Sequence, residues 1–410
     1  MNAGRMTAAG GVRDASAAGA IEDIRGKVAA GRRIDRDEAM RLLHHPDLPA
    51  LGAMADAVRL RHWPDPVVTY VIGRNLNYTN VCWVKCKFCA FYRPPGSDEG
   101  YTLTRDEIAA KIQELVDLGG REVLFQGGLN PALKLDYYLE TFRWIKETWD
   151  VHIHGLSPTE IIYIAHISSL PLDRCLGMLR DAGLDTVPGA GGEILVDRVR
   201  RILAPGKDMA DEWIGFMRTA HQVGIRTSST MMYGSVETLE ERVEHLDRLR
   251  SLQDETGGFN SFIPWSFQPE LTEMKEIRKA SAFDYLRTLA VARIYLDNIR
   301  SFQASWVTQG PKIAQVSLRF GVNDFGSTVI EENVVSAAGT TFSMDIAGME
   351  RLIRDAGFEP ILRDTNYRIL GPYRQPRRIQ ATEGAAMAPG SAAIAAAAAA
   401  HPAHPATPVN

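Results

Sequence analysis

Three of the four cysteines lie within one eight-residue stretch, at Cys82, Cys86 and Cys89. Their C-x₃-C-x₂-C spacing puts three thiols on one short loop, and thiolates are soft ligands that suit iron–sulfur clusters and Zn²⁺. A [4Fe–4S] cluster held by three cysteines keeps one iron open to chelate a small molecule. A structural Zn²⁺ site usually has four protein ligands, so it would need the distant Cys175 or a histidine. The spacing favours the cluster and leaves the Zn²⁺ site as the alternative.

A repeated strand–helix pattern supplies the framework that must position these cysteines. Between residues 67 and 370, short apolar or β-branched runs such as VVTYVI, EVLFQ and RTSSTMMY alternate with amphipathic stretches about eight times. This alternation predicts an α/β fold with a parallel sheet closed into a (β/α)₈ TIM-type barrel, and an open doubly wound sheet is the alternative. The cysteines directly follow the predicted strand LNYTN. They should therefore lie at the carboxyl-end mouth of the barrel, where such barrels carry their active sites.

The rest of the chain divides into a cap and two tails. Residues 21–66 contain two or three amphipathic helical patterns and are predicted to form an N-terminal helical cap. Residues 1–20 are small and polar, and residues 371–410 are an Ala/Pro-rich, low-complexity tract without apolar periodicity. Both segments are predicted to be disordered, because neither can bury a core.

Composition narrows the functional class. The 410-residue chain has a formal net charge of −4 and a pI of about 6.2, which argues against broad binding to nucleic acid or anionic membranes. No apolar run approaches the roughly 20 residues that span a bilayer, and the N-terminus lacks a secretory signal. The cysteine distribution is also unlike that of a secreted disulfide scaffold. A cytoplasmic protein with a small-molecule substrate is expected.

The cysteine motif resembles that of the radical S-adenosylmethionine (SAM) superfamily, since Phe88 gives it the form C-x₃-C-x-aromatic-C. Phe88 is expected to shield the cluster or to contact an adenine. The resemblance implies a [4Fe–4S] cluster on the three cysteines, SAM bound to its open iron, and reduction by a flavodoxin- or ferredoxin-type electron donor. It further implies that a 5′-deoxyadenosyl radical abstracts hydrogen from the substrate.

Further stretches narrow the resemblance to one branch of the superfamily. These stretches include NYTNVC, CKFCAFYR, GLDTVPGAGGEILVDRVRRILAP and FIPWSFQPE, and together they are similar to the futalosine-pathway cyclases of menaquinone biosynthesis. The similarity runs from about Ile34 to Leu370. It implies hydrogen abstraction at the sugar C4′ of dehypoxanthinyl futalosine, followed by a C–C bond to the aromatic ring. The alternatives are an aminofutalosine synthase, a deazaflavin (FO) synthase relative, and a Zn²⁺-stabilised binding scaffold without enzymatic activity.

Several glycine-rich and strand-end residues are candidates for cofactor binding. Gln126, Gly127 and Gly128 end the predicted strand EVLFQ, where glycines let a backbone approach a ligand closely. In radical SAM enzymes this position contacts the SAM amino group, although an ordinary glycine turn is the alternative. Glu193 follows a glycine-rich turn and could reach the ribose hydroxyls, or could simply begin a helix. Tyr233 ends a strand and could approach the adenine.

Candidates for catalysis rest on strand position alone. His152 and His154 alternate with apolar residues, so both rings should share one face of a strand. That face could point into the barrel and handle a substrate carboxylate or proton, since histidine titrates near neutral pH. Asp324 and Glu331 lie near late strand ends and are candidate proton acceptors. Weaker candidates for contacts with the substrate or adenine are Tyr92, Arg93, Met231, Trp265 and Gln268.

Overall fold

The first barrel strand is long and kinked, and it organises two sheets. The computed structural model describes residues 21–374. In it β1 (Val67–Val71) continues through Ile72 into β2 (Gly73–Leu76). Six further strands extend a parallel sheet from β2 in chain order. They are β3 (Glu122–Phe125), β4 (His152–Gly155), β5 (Thr186–Val187), β6 (Arg226–Tyr233), β7 (Phe259–Ser266) and β8 (Ser301–Phe302).

The segment after β8 joins the two edges of this sheet. Gln303 forms a parallel bridge with Asp324, the first residue of β9 (Asp324–Ser327), and Ile330 pairs with Arg74 in β2. β9 also pairs in parallel with β1. With β1 and β2 counted as one strand, β9 takes the eighth position. The predicted (β/α)₈ barrel is thereby confirmed, because an open doubly wound sheet would leave its two edges unpaired.

Helices follow most of the strands and cover the outside of the barrel. Several begin at side-chain caps, as at Thr104 and Thr238, each of which forms a capping box with a glutamate three residues later. In chain order the helices are α1 (Glu22–Ala29), α2 (Arg36–His44), α3 (Leu48–His62), α4 (Arg105–Asp117), α5 (Leu135–Thr148), α6 (Pro158–Ile167), α7 (Leu172–Ala182), α8 (Asp197–Leu203), α9 (Ala210–Gln222), α10 (Leu239–Thr256), α11 (Ala282–Tyr295), α12 (Trp306–Gln309), α13 (Pro311–Ser317) and α14 (Ile346–Asp355). None of the helices within residues 21–374 is long and apolar enough to cross a membrane.

The three N-terminal helices pack on one side of the barrel. α3 lies against α11, and α2 lies against α10 and α11. The contacts are apolar at their centre, where Leu42, Leu51 and Val58 are buried. Ion pairs stand at the edge, such as Arg33 with Asp254 at 2.6 Å. Because exposed pairs contribute little, the buried apolar face holds these helices in place.

Three local predictions differ from the structure. The run LNYTN is not a strand: β2 ends at Leu76, and the backbone that follows bonds to neighbouring loops, as when Leu103 N–H donates to the Tyr78 carbonyl (2.8 Å). The helices α6 and α7 have no counterpart in the predicted pattern. The stretch EPILRDTNYRIL, whose pattern predicts a single final strand, is a hairpin of β10 (Glu359–Arg363) and β11 (Ile369–Gly371). The predicted disordered segments, residues 1–20 and nearly all of 371–410, lie outside the described residues.

The turn of this last hairpin closes the amino end of the barrel. β10 pairs in parallel with β1 from Val67 to Tyr70, at the start of the first strand. The turn is fixed by Tyr367 N–H, which donates to the Asp364 carbonyl at 3.0 Å. Thr365 Oγ1 donates to Glu122 Oε2 at 2.7 Å, and Glu122 is the first residue of β3. The hairpin therefore forms the floor of the barrel, opposite the mouth that carries the cysteine loop.

Candidate active site

A cavity of about 470 Å³ extends from the cysteine loop to the hairpin turn at the amino end. Its walls bring together residues from across the barrel. Those at the mouth are Cys82, Cys86, Cys89, Phe88, Tyr92, Gln126, Gly127, Gly128, Glu160, Glu193 and Lys207. Those toward the floor include Glu122, His154, Ser261, Arg363, Thr365 and Tyr367, and Ile263, Trp265 and Trp306 also line the cavity. Such a concave, largely apolar site with a few convergent polar groups is typical of small-molecule binding.

Backbone hydrogen bonds fix the cysteine loop to its surroundings. Cys82 N–H donates to the Arg93 carbonyl at 2.8 Å, and Lys87 N–H donates to the Leu203 carbonyl at 2.9 Å. Within the loop, Cys89 N–H donates to the Cys86 carbonyl at 3.1 Å. These bonds hold the three thiols against one cavity instead of leaving them on a mobile surface loop.

Two glycines at the end of β3 allow the loop to lie this close. A Cβ at Gly128 would stand 2.8 Å from the Cys82 Cβ and closer still to the Val81 carbonyl oxygen. A Cβ at Gly127 would stand 2.9 Å from the Thr79 carbonyl oxygen. Both glycines were predicted to admit a ligand; the structure adds that they first admit the backbone of the cysteine loop.

The donor set fits a three-cysteine cluster. Burial raises the pKa of all three thiols, that of Cys86 to about 12, so without a metal they stay protonated. Metal ligation requires thiolates and therefore releases these protons. Among residues 21–374, no three His, Cys, Asp or Glu side chains converge as they would around a single ion. That absence is compatible with a cluster, whose thiolates bind different iron atoms. Three thiols on one loop leave the fourth iron for SAM, as the superfamily motif implies.

Cys175 lies far from this loop. It is fully buried in α7 within the main hydrophobic core, and burial raises its pKa to about 12. Its thiol does not line the cavity. It therefore does not complete a four-cysteine Zn²⁺ site, and its position is that of an ordinary core cysteine.

Lys207, which the sequence did not indicate, lies between Phe88 and Glu193 on the cavity wall. Lys207 Nζ lies 3.0 Å from Glu193 Oε1 and 5.7 Å from the centroid of the Phe88 ring. Glu193 has a left-handed backbone with φ 25°, which is strained for a residue with a side chain. The glycine-rich turn thus places the Glu193 carboxylate on the cavity wall, already paired with a cation, and its contact with ribose hydroxyls stays a prediction.

Glu160 is a second residue that the sequence interpretation missed. Its Oε1 accepts hydrogen bonds from Tyr78 Oη–H at 2.9 Å and from Gly127 N–H at 3.1 Å. The side chain lines the cavity although the residue is only 3% exposed, and burial raises its pKa to about 7. The available signal was SPTE just beyond β4, because Ser157 caps α6 and so places Glu160 in its first turn.

The two histidines of β4 share one hydrogen-bond partner. His152 Nε2 and His154 Nδ1 lie 2.8 and 2.7 Å from Thr186 Oγ1, so both rings are on one face as predicted. Only His154 lines the cavity. Burial, together with the nearby His152, lowers the pKa of His154 to about 3, so its ring is neutral at physiological pH. A neutral imidazole can donate or accept a hydrogen bond there but does not supply a positive charge.

The structure does not bring Asp324 and Glu331 to the cavity wall. Asp324 is fully buried and bonded to Arg363 Nε (2.5 Å) and Thr69 Oγ1 (2.5 Å). Glu331 pairs with Arg74 and Lys111 and lines a separate pocket of about 430 Å³ beside the cysteine loop. Both carboxylates are paired with cations, so neither is the free proton acceptor that its strand-end position suggested.

The remaining candidates divide in the same way. Tyr233 is fully buried outside the cavity wall, and the Arg242 guanidinium lies 4.5 Å from the centroid of its ring. Its position at the carboxyl end of β6 is as predicted, but its ring faces the helices. Of the weaker candidates, Tyr92 and Trp265 line the cavity, Arg93 lines the separate pocket, and Met231 and Gln268 line neither.

Comparisons with known proteins identify the family of this chain. The radical SAM superfamily profile matches residues 76–249, and the CofH/MqnC C-terminal region profile matches residues 256–375. Cyclic dehypoxanthine futalosine synthase of Halalkalibacterium halodurans is 46% identical over 351 residues, which are 85% of this chain and 95% of that protein. Aminodeoxyfutalosine synthase of Thermus thermophilus is 41% identical over 349 residues, 83% of this chain and 94% of that protein.

A solved structure supports the fold independently. Methylornithine synthase superposes with a TM-score of 0.67 at 20% identity, covering 82% of this chain and 97% of that one. The superfamily implies a [4Fe–4S] cluster, SAM and a small-molecule substrate, and the three-thiol loop at the cavity mouth has the donor set that such a cluster requires. The chain is a radical SAM enzyme and belongs to the family of the cyclic dehypoxanthine futalosine synthases.

Proposed function

We propose that this enzyme converts dehypoxanthinyl futalosine to cyclic dehypoxanthinyl futalosine in the menaquinone pathway. The observation that carries the proposal is the three-thiol loop above a cavity inside a closed barrel, in a chain 46% identical to a named synthase of that product. We further propose that the enzyme acts in the cytoplasm without nucleic-acid or membrane partners, in keeping with its net charge of −4.

The residues of this chain would hold the cluster, exclude water from the reacting atoms and position the cofactor. Cys82, Cys86 and Cys89 would hold the cluster. When bound, the cluster and SAM would supply a 5′-deoxyadenosyl radical that takes the C4′ hydrogen of the substrate. After the sugar carbon has bonded to the aromatic ring, loss of one proton and of one electron, which the cluster would accept, restores aromaticity. Trp265 and Trp306 would keep water from the reacting centre, since closed apolar walls suppress side reactions.

Polar groups at the mouth would position the cofactor. Gly127 and Gly128 bring the end of β3 against the cysteine loop, where a backbone can approach a ligand. Glu193 is held by Lys207 and would accept hydrogen bonds from ribose hydroxyls on its remaining lone pairs. Glu160 would accept a hydrogen bond from a cationic or hydroxyl group near Gly127. The protein thus binds and orients, and the cofactor supplies the reactive species.

The fate of the adenosyl group tests the proposal against its sibling reaction. Reconstituted, reduced protein is incubated anaerobically with SAM and dehypoxanthinyl futalosine, and products are followed by mass spectrometry. A cyclase releases 5′-deoxyadenosine and forms a product two hydrogens lighter than its substrate. An aminofutalosine synthase would incorporate the adenosyl group into its product. SAM cleavage without conversion of this substrate would refute the proposed reaction while leaving the superfamily assignment intact.

Two cysteine variants give this assay a matched control. Cys86→Ala removes one cluster ligand and should abolish both the brown chromophore and SAM cleavage. Cys175→Ala removes a thiol buried in the core of α7, away from the cavity, and should leave both intact. Loss of the chromophore in Cys175→Ala together with its retention in Cys86→Ala would refute the assignment of the ligands.

We propose that the electron donor is a small acidic carrier of the flavodoxin or ferredoxin type. Lys85 and Lys87 flank Cys86 and are both exposed, and Trp83 beside them is 43% exposed. A cluster on this loop would therefore lie near a basic, partly aromatic surface. Charge complementarity of this kind steers encounter and weakens as salt rises.

Charge reversal tests the docking surface without relying on turnover. We expect the Lys85→Glu/Lys87→Glu variant to bind flavodoxin about tenfold more weakly than the wild type at low salt. Its affinity should also depend less on salt concentration. Binding is measured by calorimetry on the oxidised protein. Arg121→Glu serves as the control, because Arg121 precedes β3 at the opposite end of the barrel and pairs there only with the exposed Asp150. Equal affinity in all three proteins would refute docking at the cysteine loop.

A further inference from the structure

The floor of the cavity carries a guanidinium held in an unusual setting. Arg363, Thr365 and Tyr367 alternate along the hairpin turn, and all three line the cavity. Tyr367 has a left-handed backbone with φ 63°, and the Arg363 guanidinium lies 3.9 Å from the centroid of its ring. Strained backbone at a bulky residue persists only when its surroundings enforce it, and it is concentrated at functional sites.

The Arg363 guanidinium keeps unused donors. Nε and Nη2 donate to the two oxygens of Asp324 at 2.5 and 3.0 Å, and Nη1 donates to the Asp364 carbonyl at 3.1 Å. Arginine has five N–H donors, so two have no protein partner. Burial alone would lower the pKa of Arg363, but the Asp324 carboxylate outweighs it and holds the pKa above its usual value. The group is therefore a fixed cation.

Only one other cation stands on the wall of the cavity. Among the described residues that line it, Lys207 and Arg363 are the only lysine and arginine. Lys207 lies at the mouth, committed to Glu193 and close to Phe88 on the cysteine loop. An anionic group that enters past the mouth thus meets one cationic side chain, at the floor. Asp324 is the ion-pair partner of this cation, and the Glu122 carboxyl, whose pKa is raised by burial, lines the same end of the cavity.

A neutral donor stands in the same cavity. Ser261 lines the cavity, is 1% exposed, and its hydroxyl lies beside that of Tyr367. A hydroxyl can donate one hydrogen bond and accept others at the same time. The cavity thus offers a guanidinium with free N–H groups together with two neighbouring hydroxyls.

We infer that Arg363 anchors the aryl carboxylate of the substrate at the floor of the barrel. This inference rests on the proposed function, because dehypoxanthinyl futalosine is a benzoate joined to a sugar. Arginine binds carboxylates with paired, directional N–H bonds. With the carboxylate at the floor, the benzoate ring lies along the apolar middle of the cavity and the sugar points toward the cysteine loop. Arg363 thereby selects substrates with an aryl carboxylate and sets the direction in which they bind.

Asp324 then has a supporting role. It orients the guanidinium through two hydrogen bonds and is itself fixed by Thr69. Removing Arg363 alone would leave a buried, uncompensated carboxylate and would destabilise the fold. A test variant must therefore neutralise both members of the pair.

The test compares the substrate with its methyl ester. Binding of each to the reconstituted protein with SAM, without reductant, is measured by calorimetry for the wild type and for Arg363→Gln/Asp324→Asn. We expect the wild type to bind the acid at least tenfold more tightly than the ester, and the double variant to bind both about as the wild type binds the ester. In turnover, KM should rise more than kcat falls, because the lost contact lies away from the reacting carbon.

Two further variants guard against misfolding. Arg363→Lys keeps the charge beside Asp324 but loses the planar fork, so its preference for the acid should fall between those of the wild type and the double variant. Arg121→Gln/Asp150→Asn neutralises an exposed pair at the same end of the barrel and should change nothing. An undiminished preference for the acid in a folded double variant would overturn the anchor. If the wild type binds acid and ester equally but still turns the substrate over, the role of Arg363 is refuted and the proposed function stands. If the wild type neither binds nor converts the substrate, both are refuted.

Discussion

Replacement of Gly128 by alanine should break the cluster site while sparing the fold. The new Cβ would lie 2.8 Å from the Cys82 Cβ, whereas ordinary contacts begin at 3.4 Å. The cysteine must therefore retreat by about 0.6 Å, which is several times the roughly 0.2 Å tolerance of a metal–ligand distance. The nearest neighbour of all is the Val81 carbonyl oxygen, which belongs to the backbone and cannot rotate aside as a side chain does.

The energetic cost of this overlap is moderate, but it falls on the ligand loop. Overpacking a tight site typically costs about 1–3 kcal/mol. Gly128 does not have a left-handed backbone, so alanine meets no conformational penalty there beyond the collision. We therefore expect a protein that remains folded, with an iron content after anaerobic reconstitution that is roughly half the wild-type value or less.

The assay is iron and sulfide content together with the visible absorption band, with the melting temperature as a measure of fold. Gly177→Ala is the matched control, because Gly177 lies within α7 and a Cβ there meets nothing within 4 Å. That variant should keep full iron content and gain up to about 1 kcal/mol, since alanine is the better helix former. A Gly128→Ala protein with wild-type iron content and absorption would refute the claim that this contact fixes the loop.

Two further predictions concern buried charge. Lys207→Met should destabilise the fold by up to about 3 kcal/mol in urea unfolding, because it leaves the largely buried Glu193 with only the longer 3.7 Å pairing to Arg200. Lys207→Met/Glu193→Gln should recover most of this loss. Burial lowers the pKa of His245 to about 3 from 6.5, so the unfolded chain binds the proton first and stability falls as pH drops from 6.5 toward 3. Protonation of this residue in the unfolded chain should lower the free energy of unfolding by about 2 kcal/mol at pH 5. His245→Gln can still accept a hydrogen bond from Leu195 N–H but does not titrate. This variant should therefore lose correspondingly less unfolding free energy between pH 7 and pH 5.

Site residues could be predicted from the sequence where they are close neighbours in the chain. Cys82, Cys86, Phe88 and Cys89 are neighbours in the chain, so their spacing alone predicted one loop with three thiols. The barrel was also predictable, because each strand–helix unit repeats the same apolar pattern and parallel neighbours must connect through helices. The glycines after β3 were indicated by their position at a strand end, although their first role is to admit the cysteine loop.

Partners distant in the chain were beyond the reach of sequence patterns. Lys207 meets Glu193 across 14 positions, and Arg363 meets Asp324 across 39. Asp324 was predicted to be a candidate proton acceptor because its strand-end position is visible in the sequence, whereas no sequence pattern indicates that Arg363 pairs with it. Tyr233 was misplaced for a related reason, since period two fixes which residues share a face but not which face points inward.

The remaining backbone outliers indicate where the fold stores strain. Of the six residues other than glycine with positive φ in the described chain, Glu193, Val329 and Tyr367 line the main cavity, and Glu331 lines the pocket beside it. Val329 is the most demanding of these, because a β-branched side chain is rarely found at a φ of 48°. Each such residue costs on the order of 1–3 kcal/mol. The strained residues lie at the mouth, along the wall and at the floor of one cavity. Because the fold tolerates this cost at all three levels, we infer that it maintains the precise shape of the whole cavity and not only that of the cysteine loop.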